Sequence, residues 1–160
     1  MKATTTAALA AMVLAGAIPG TAGAAAIDAT TGVLPVTALA PLTDRTVAAA
    51  LTKVGAPYAM GGAGPDAFDC SGLVMWALQR AGISAPHSSF AQFALGRKVE
   101  RSDIQRGDLV FFDSFGPGAS HVGIATSPTT AVSATSHGVM RHGIFDGYWG
   151  PHFIGARRLS

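Results

Sequence analysis

A single cysteine, Cys70, stands in the run Phe68-Asp69-Cys70-Ser71-Gly72, and five histidines elsewhere in the chain could serve it as proton acceptor. One thiol cannot close an internal disulfide, so a lone cysteine is either a small buried apolar residue or a reactive group. Reactivity requires a base that takes the thiol proton and later returns it to the leaving group, and histidine suits that task near neutral pH. Of the five, His121 is placed best, because it opens a predicted strand just after a glycine-containing loop. His87, His137, His142 and His152 fall in predicted loops or strand ends, where a solvated or structural histidine is the default.

The elements around Cys70 must hold it at an edge. Gly61-Gly62-Ala63-Gly64-Pro65 leads into the cysteine, and Leu73, Val74, Ala77, Leu78 and Ala81 follow at spacings of three and four. That pattern predicts a helix beginning at Cys70, with Asp69 as N-cap and Gly82 at its end. A thiol in the first turn feels the positive end of the helix dipole, so its pKa is expected below the free value of ~8.5. Thr43 to Val54 predicts an earlier helix capped by Thr43, Ser88 to Gly96 a short one, and Ser102 to Gln105 a turn. Strands are predicted at Asp108–Phe112, His121–Ala125, Ala131–Ala134, Val139–His142 and Phe153–Arg157, with a hairpin turn at Ser127-Pro128-Thr129-Thr130. Helices first and strands afterwards indicate an α+β fold with a largely antiparallel sheet.

With 160 residues, 49% of them hydrophobic, the chain has room for one domain with a core. Lys2, an uncharged run from Ala3 through Ile18 and the small residues Thr21-Ala22-Gly23-Ala24 read as a secretory signal over 1–24. The apolar part is short for a membrane span of ~20 residues. An export route to the outside or the cell envelope is therefore expected, with no stable membrane insertion after cleavage. The Ala/Thr/Pro-rich stretch 25–42 reads as a linker or arm, leaving 43–160 as the folded domain. A formal charge of +2 is too weak to argue for nucleic acid. One cysteine and scattered histidines form no metal-ligand pattern, and the Gly61-Gly62-Ala63-Gly64 loop lacks the lysine and Ser/Thr of a phosphate cradle. No metal or cofactor is expected.

Taken together, Tyr58-x-x-Gly61-Gly62, Asp69-Cys70-Ser71-Gly72-Leu73-Val74, Gly107-Asp108-Leu109-Val110-Phe111-Phe112, His121-Val122-Gly123-Ile124 and Gly155-Ala156-Arg157-Arg158 resemble the NlpC/P60 family of cell-wall cysteine peptidases. The match in order and spacing runs from about Thr43 to Ser160. The resemblance implies a papain-like α+β fold, with N-terminal helices packed on the sheet and the cysteine at a helix N-terminus facing the histidine. It implies hydrolysis of peptidoglycan stem peptides, commonly between γ-linked D-glutamate and diaminopimelate, by a monomer. Under it Cys70 is the nucleophile and His121 the general base and acid. Backbone N–H groups and the Tyr58 hydroxyl would receive the oxyanion, while Asp69 and Ser71 would line the substrate groove.

Three positions depart from the family pattern. A third polar residue, often histidine, follows the base by twelve positions, and Ser133 stands there. A hairpin centred near Ser127 would set Ser133 opposite His121, where its hydroxyl could accept a hydrogen bond from the imidazole. A neutral bond is worth ~1 kcal/mol less than one to a charged partner, which predicts an enzyme about tenfold slower rather than a dead one. His137 could take the same place if the strand bends back. Met60 replaces a common aromatic, and Pro86-His87-Ser88-Ser89 has histidine where arginine is usual. The remaining readings are a wall-binding module with weak or no turnover, and a related amidase or effector that cuts another wall bond.

Overall fold

The computed structural model describes residues 40–159. The expected leader, 1–24, and nearly all of the expected arm, 25–42, lie outside the described residues.

Helix α1 spans Leu42–Leu51 and begins one residue before the expected cap. Pro41 occupies the N-cap position without a side-chain bond, Thr43 lies inside the helix, and Thr46 Oγ donates to the Leu42 carbonyl at 2.8 Å. Proline's missing N–H costs little at a helix start, so the chain turns helical directly after it. Helix α2, Cys70–Arg80, starts at the cysteine, and the Asp69 carboxylate accepts from the Gly72 N–H at 2.7 Å. Helix α3 is the short Ser89–Phe93, capped by Ser88.

Six strands follow: β1 Arg97–Val99, β2 Leu109–Phe112, β3 His121–Ala125, β4 Thr130–Thr135, β5 Gly138–Gly143 and β6 Phe153–Arg158. They form one sheet in the order β1-β6-β2-β3-β4-β5, with every neighbouring pair antiparallel. A 3₁₀ turn at Arg101–Asp103 precedes β2, and a one-turn helix α4, Trp149–His152, precedes β6. The observed architecture is the α+β arrangement of helices on an antiparallel sheet.

Alternation along the strands sorts two cores. Leu109, Phe111, Val122, Ile124, Val132 and Ala134 pack with Val47 and Ala50 of α1 and Leu73, Val74, Ala77 and Leu78 of α2. The alternate residues Val110, Phe112, Ala125 and Ala131 join Val99, Ile104, Ile144 and Ala156 on the other face. Because both faces are covered, all four residues of β2 are buried, which explains its uninterrupted apolar run.

Asp108 ties the entrance of β2 to the end of β6. Its buried carboxylate accepts from Arg158 Nε at 2.6 Å, Arg158 Nη2 at 2.7 Å and the Gln105 N–H at 2.8 Å. Asp108→Ala removes the acceptor from three donors, while the partly exposed guanidinium can still turn to water. A loss of about 2–3 kcal/mol in urea unfolding at pH 7 is expected, at the low end for a broken buried pair.

Candidate active site

The loop ahead of α2 is pinned before the cysteine is reached. Phe68, fully buried, makes bridges to Tyr58 and Ala63, and the Asp69 N–H donates to the Gly62 carbonyl at 2.8 Å. That carbonyl lies so close to α2 that a Cβ on Gly72 would stand 1.9 Å from its oxygen. Glycine in the first helical turn is therefore a steric requirement of the loop. Asp69 gathers the same region: besides Gly72 it accepts from the Gly61 N–H at 2.9 Å, Ser71 Oγ at 3.1 Å and His87 Nε2 at 2.9 Å. Burial alone would raise its pKa, but the Gly72 N–H, His87 and Ser71 outweigh it and hold the carboxyl below its ordinary range. His87, at the arginine position, is thus bonded to the N-cap of the cysteine helix.

Cys70 sits half-buried at the start of α2, where the backbone N–H groups of Val122, Ser71 and Cys70 itself act to lower its pKa. Helix α2 packs against β3, the strand that His121 opens. Burial pushes the thiol above its ordinary value and the Asp69 charge adds to the rise, against the lowering by those N–H groups. The expectation of a depressed thiol pKa is therefore corrected: the helix terminus is present, and desolvation outweighs it. Tyr58 is half-buried, its phenol raised first by burial and then by the charges of Cys70 and Asp69.

His121 is fully buried. Its Nε2 lies 3.0 Å from Ser133 Oγ, and its Nδ1 has no hydrogen-bond partner in the protein. Burial, with a smaller contribution from the charge of His142, lowers its pKa to about 3. The ring stacks on Trp149 at 5.0 Å between centroids and lies 5.4 Å from Phe115. The hairpin register differs from the expected one. Ile124 pairs with Val132 and Ala125 with Ala131, so the turn is centred on Pro128 and Ser133 lies across from Gly123. A shift of two keeps Ser133 on the His121 face, and the hydroxyl reaches the imidazole diagonally. Gly123 permits the approach, since a Cβ there would stand 3.1 Å from that of Ser133.

His137 does not meet His121: it is exposed in the β4–β5 turn, where its ring is 3.4 Å from Ser136 Oγ. His142, read from sequence as a strand-end residue, instead lies behind Ser133, with Nε2 2.8 Å from Ser133 Oγ and Nδ1 2.8 Å from the Gly143 carbonyl oxygen. Trp149 was also missed, and it stacks on the His142 ring at 4.0 Å. The signal for His142 was parity alone, because Ser133 pairs with Met140 and His142 is two positions further along the same face. Phe115, Met140, Tyr148 and Trp149 help line a cavity of about 340 Å³ beside this cluster. Met60 is exposed. Among the described residues, no group of three or more His, Cys, Asp or Glu side chains is arranged to hold a metal ion. Among them, too, no helix is long and apolar enough to cross a membrane.

A thiol and an imidazole with one free nitrogen, at a helix terminus beside an apolar cavity, can perform acyl transfer. Residues 55–158 match the NlpC/P60 family. A protein of Mycobacterium tuberculosis named a probable endopeptidase is 55% identical over 98 residues, 60% of this chain and 25% of that protein. The chain thus spans about a quarter of that relative's length. The crystal structure of an NlpC/P60 family protein from Bacillus cereus superposes with a TM-score of 0.68 at 26% identity, covering 74% of this chain and 40% of the other. The NlpC/p60 domain of the peptidoglycan hydrolase SagA gives 0.64 at 28% identity, covering 73% of this chain and 98% of that domain.

Proposed function

The chain belongs to the NlpC/P60 family, and from that membership and the geometry around Cys70 we propose that it is a cysteine peptidase cutting peptidoglycan stem peptides at the γ-D-glutamyl-diaminopimelate bond. The observation that carries the reading is the buried His121 ring. Its Nε2 is held by Ser133 and its Nδ1 has no partner, on the strand β3 against which the Cys70 helix α2 packs. Nδ1 takes the thiol proton as sulfur attacks the γ-carbonyl carbon of D-glutamate. The Cys70 N–H and the Tyr58 hydroxyl receive the oxyanion. When the tetrahedral adduct collapses, the C–N bond breaks, Nδ1 returns its proton to the departing amino group, and a thioester remains. Water, deprotonated by the same nitrogen, then releases the carboxylate and restores the thiol.

Asp69 and Ser71 hold the start of α2 and border the groove, while Phe115, Tyr148 and Trp149 offer an apolar wall to the stem peptide. The residues 1–24 serve as an export signal and 43–160 as the catalytic domain, acting as a monomer in the cell envelope. The test is mass spectrometry of diaminopimelate-type muropeptides incubated with the protein and with Cys70→Ala. Thiol-dependent fragments ending in D-glutamate are expected. Fragments cut elsewhere would keep the mechanism and change the bond, and no thiol-dependent fragment from folded protein would overturn the peptidase reading in favour of a wall-binding module.

A further inference from the structure

We propose that His142 is a positioning residue that acts through Ser133 and sets which ring nitrogen of His121 is free to accept a proton. The proposal rests on the reading of His121 as the base. It follows from donor and acceptor counting along one chain of contacts. The Gly143 carbonyl can only accept, so His142 Nδ1, 2.8 Å away, carries a hydrogen. A neutral imidazole carries just one, and burial favours the neutral form of His142. Its Nε2 is then an acceptor, and Ser133 Oγ at 2.8 Å donates its hydroxyl hydrogen there. That leaves Ser133 only lone pairs to offer His121 Nε2 at 3.0 Å, so this nitrogen bears the hydrogen. The lone pair of His121 falls on Nδ1, the atom without a partner.

Ser133 alone could not decide this, because a hydroxyl rotates and donates as readily as it accepts. A donated hydroxyl would put the His121 hydrogen on Nδ1 and remove the base. The carbonyl of Gly143, relayed through His142, takes that freedom away. Trp149 stacks on both rings, at 4.0 and 5.0 Å with interplanar angles of 23° and 28°, which restrains their tilt. The hydrogen-bond chain therefore has a defined direction from the His121 ring to the backbone of β5.

The deciding measurement is the tautomer of His121 by long-range ¹H–¹⁵N spectra in a Cys70→Ala background, where no thiol exchanges a proton with the ring. The Nε2–H form is expected with His142 intact. His142→Phe keeps an aromatic ring under Trp149 but has no acceptor, and a substantial Nδ1–H population should appear. His142→Gln, whose amide oxygen can accept from Ser133, should return the Nε2–H form. An unchanged tautomer in folded His142→Phe, or an Nδ1–H ring in the parent, would overturn the proposal. With Cys70 intact, His142→Phe and Ser133→Ala should each lower kcat about five- to tenfold with KM within about twofold. The double variant should match Ser133→Ala alone, and multiplying losses would again overturn the relay. A parent protein that cleaves no stem peptide would count against the functional reading only, because the tautomer readout needs no substrate.

Discussion

Exchanging His121 for glutamine should lower kcat/KM for stem-peptide cleavage at pH 7 by about 10⁴-fold, close to the loss in Cys70→Ala, because the two act as one unit. The reason lies in the resting protonation of the pair. Burial pushes the Cys70 thiol up and the His121 imidazole down to about 3, so both are neutral at pH 7 and no thiolate stands preformed. Attack then depends on transfer of the thiol proton to Nδ1 in the same step. Without the imidazole, the thiol proton must go to solvent hydroxide, so the rate of His121→Gln should climb above about pH 9, because burial holds the thiol above its ordinary value. Recovery would be partial, since the leaving amine still lacks its proton donor. Alkylation of the wild-type thiol by iodoacetamide should likewise remain slow until pH exceeds about 9. Rapid alkylation of the wild-type thiol at pH 7 would establish a preformed thiolate, and this account of the base would fail.

What sequence made legible was local and periodic. The spacing of Leu73, Val74, Ala77 and Leu78 located α2, and the apolar runs located β2 and β3 to within a residue. Strand β1 stayed hidden because two of its three residues, Arg97 and Lys98, are charged, and its order comes from pairing with β6. Helix α4 contains Gly150 and Pro151, which mark turns in a sequence and here sit in one helical turn. The hairpin centre was misplaced because the Thr126 and Ser127 amides both donate to the Thr130 carbonyl, which moves the turn to Pro128. Parity survived the shift, so Ser133 kept its face and its partner. The helix terminus at Cys70 could be read locally, whereas the desolvation that outweighs it depends on β3 and the loop closing around the thiol. His142 depended on a third strand, two pairings away from His121.

The buried imidazole should also make the fold sensitive to acid. His121 titrates at about 3 in the folded chain and near 6.5 when unfolded, so between those values the unfolded state binds the extra proton. Stability is then full above about pH 6.5 and falls as pH drops toward 3. From pH 7 to pH 4 this one group should cost about 3 kcal/mol, at 1.36 kcal/mol per pKa unit. His142, lowered by burial, contributes in the same direction, and Asp69 joins only as pH falls below its unfolded value near 3.8. Urea unfolding at pH 7 and pH 4 measures the difference directly. His121→Gln should unfold with a pH dependence smaller by about 3 kcal/mol over the same interval, because its side chain has no proton to bind. Equal pH dependence in the two proteins would mean that the His121 ring titrates in the fold as it does unfolded, near 6.5, and the burial-lowered imidazole would have to be abandoned.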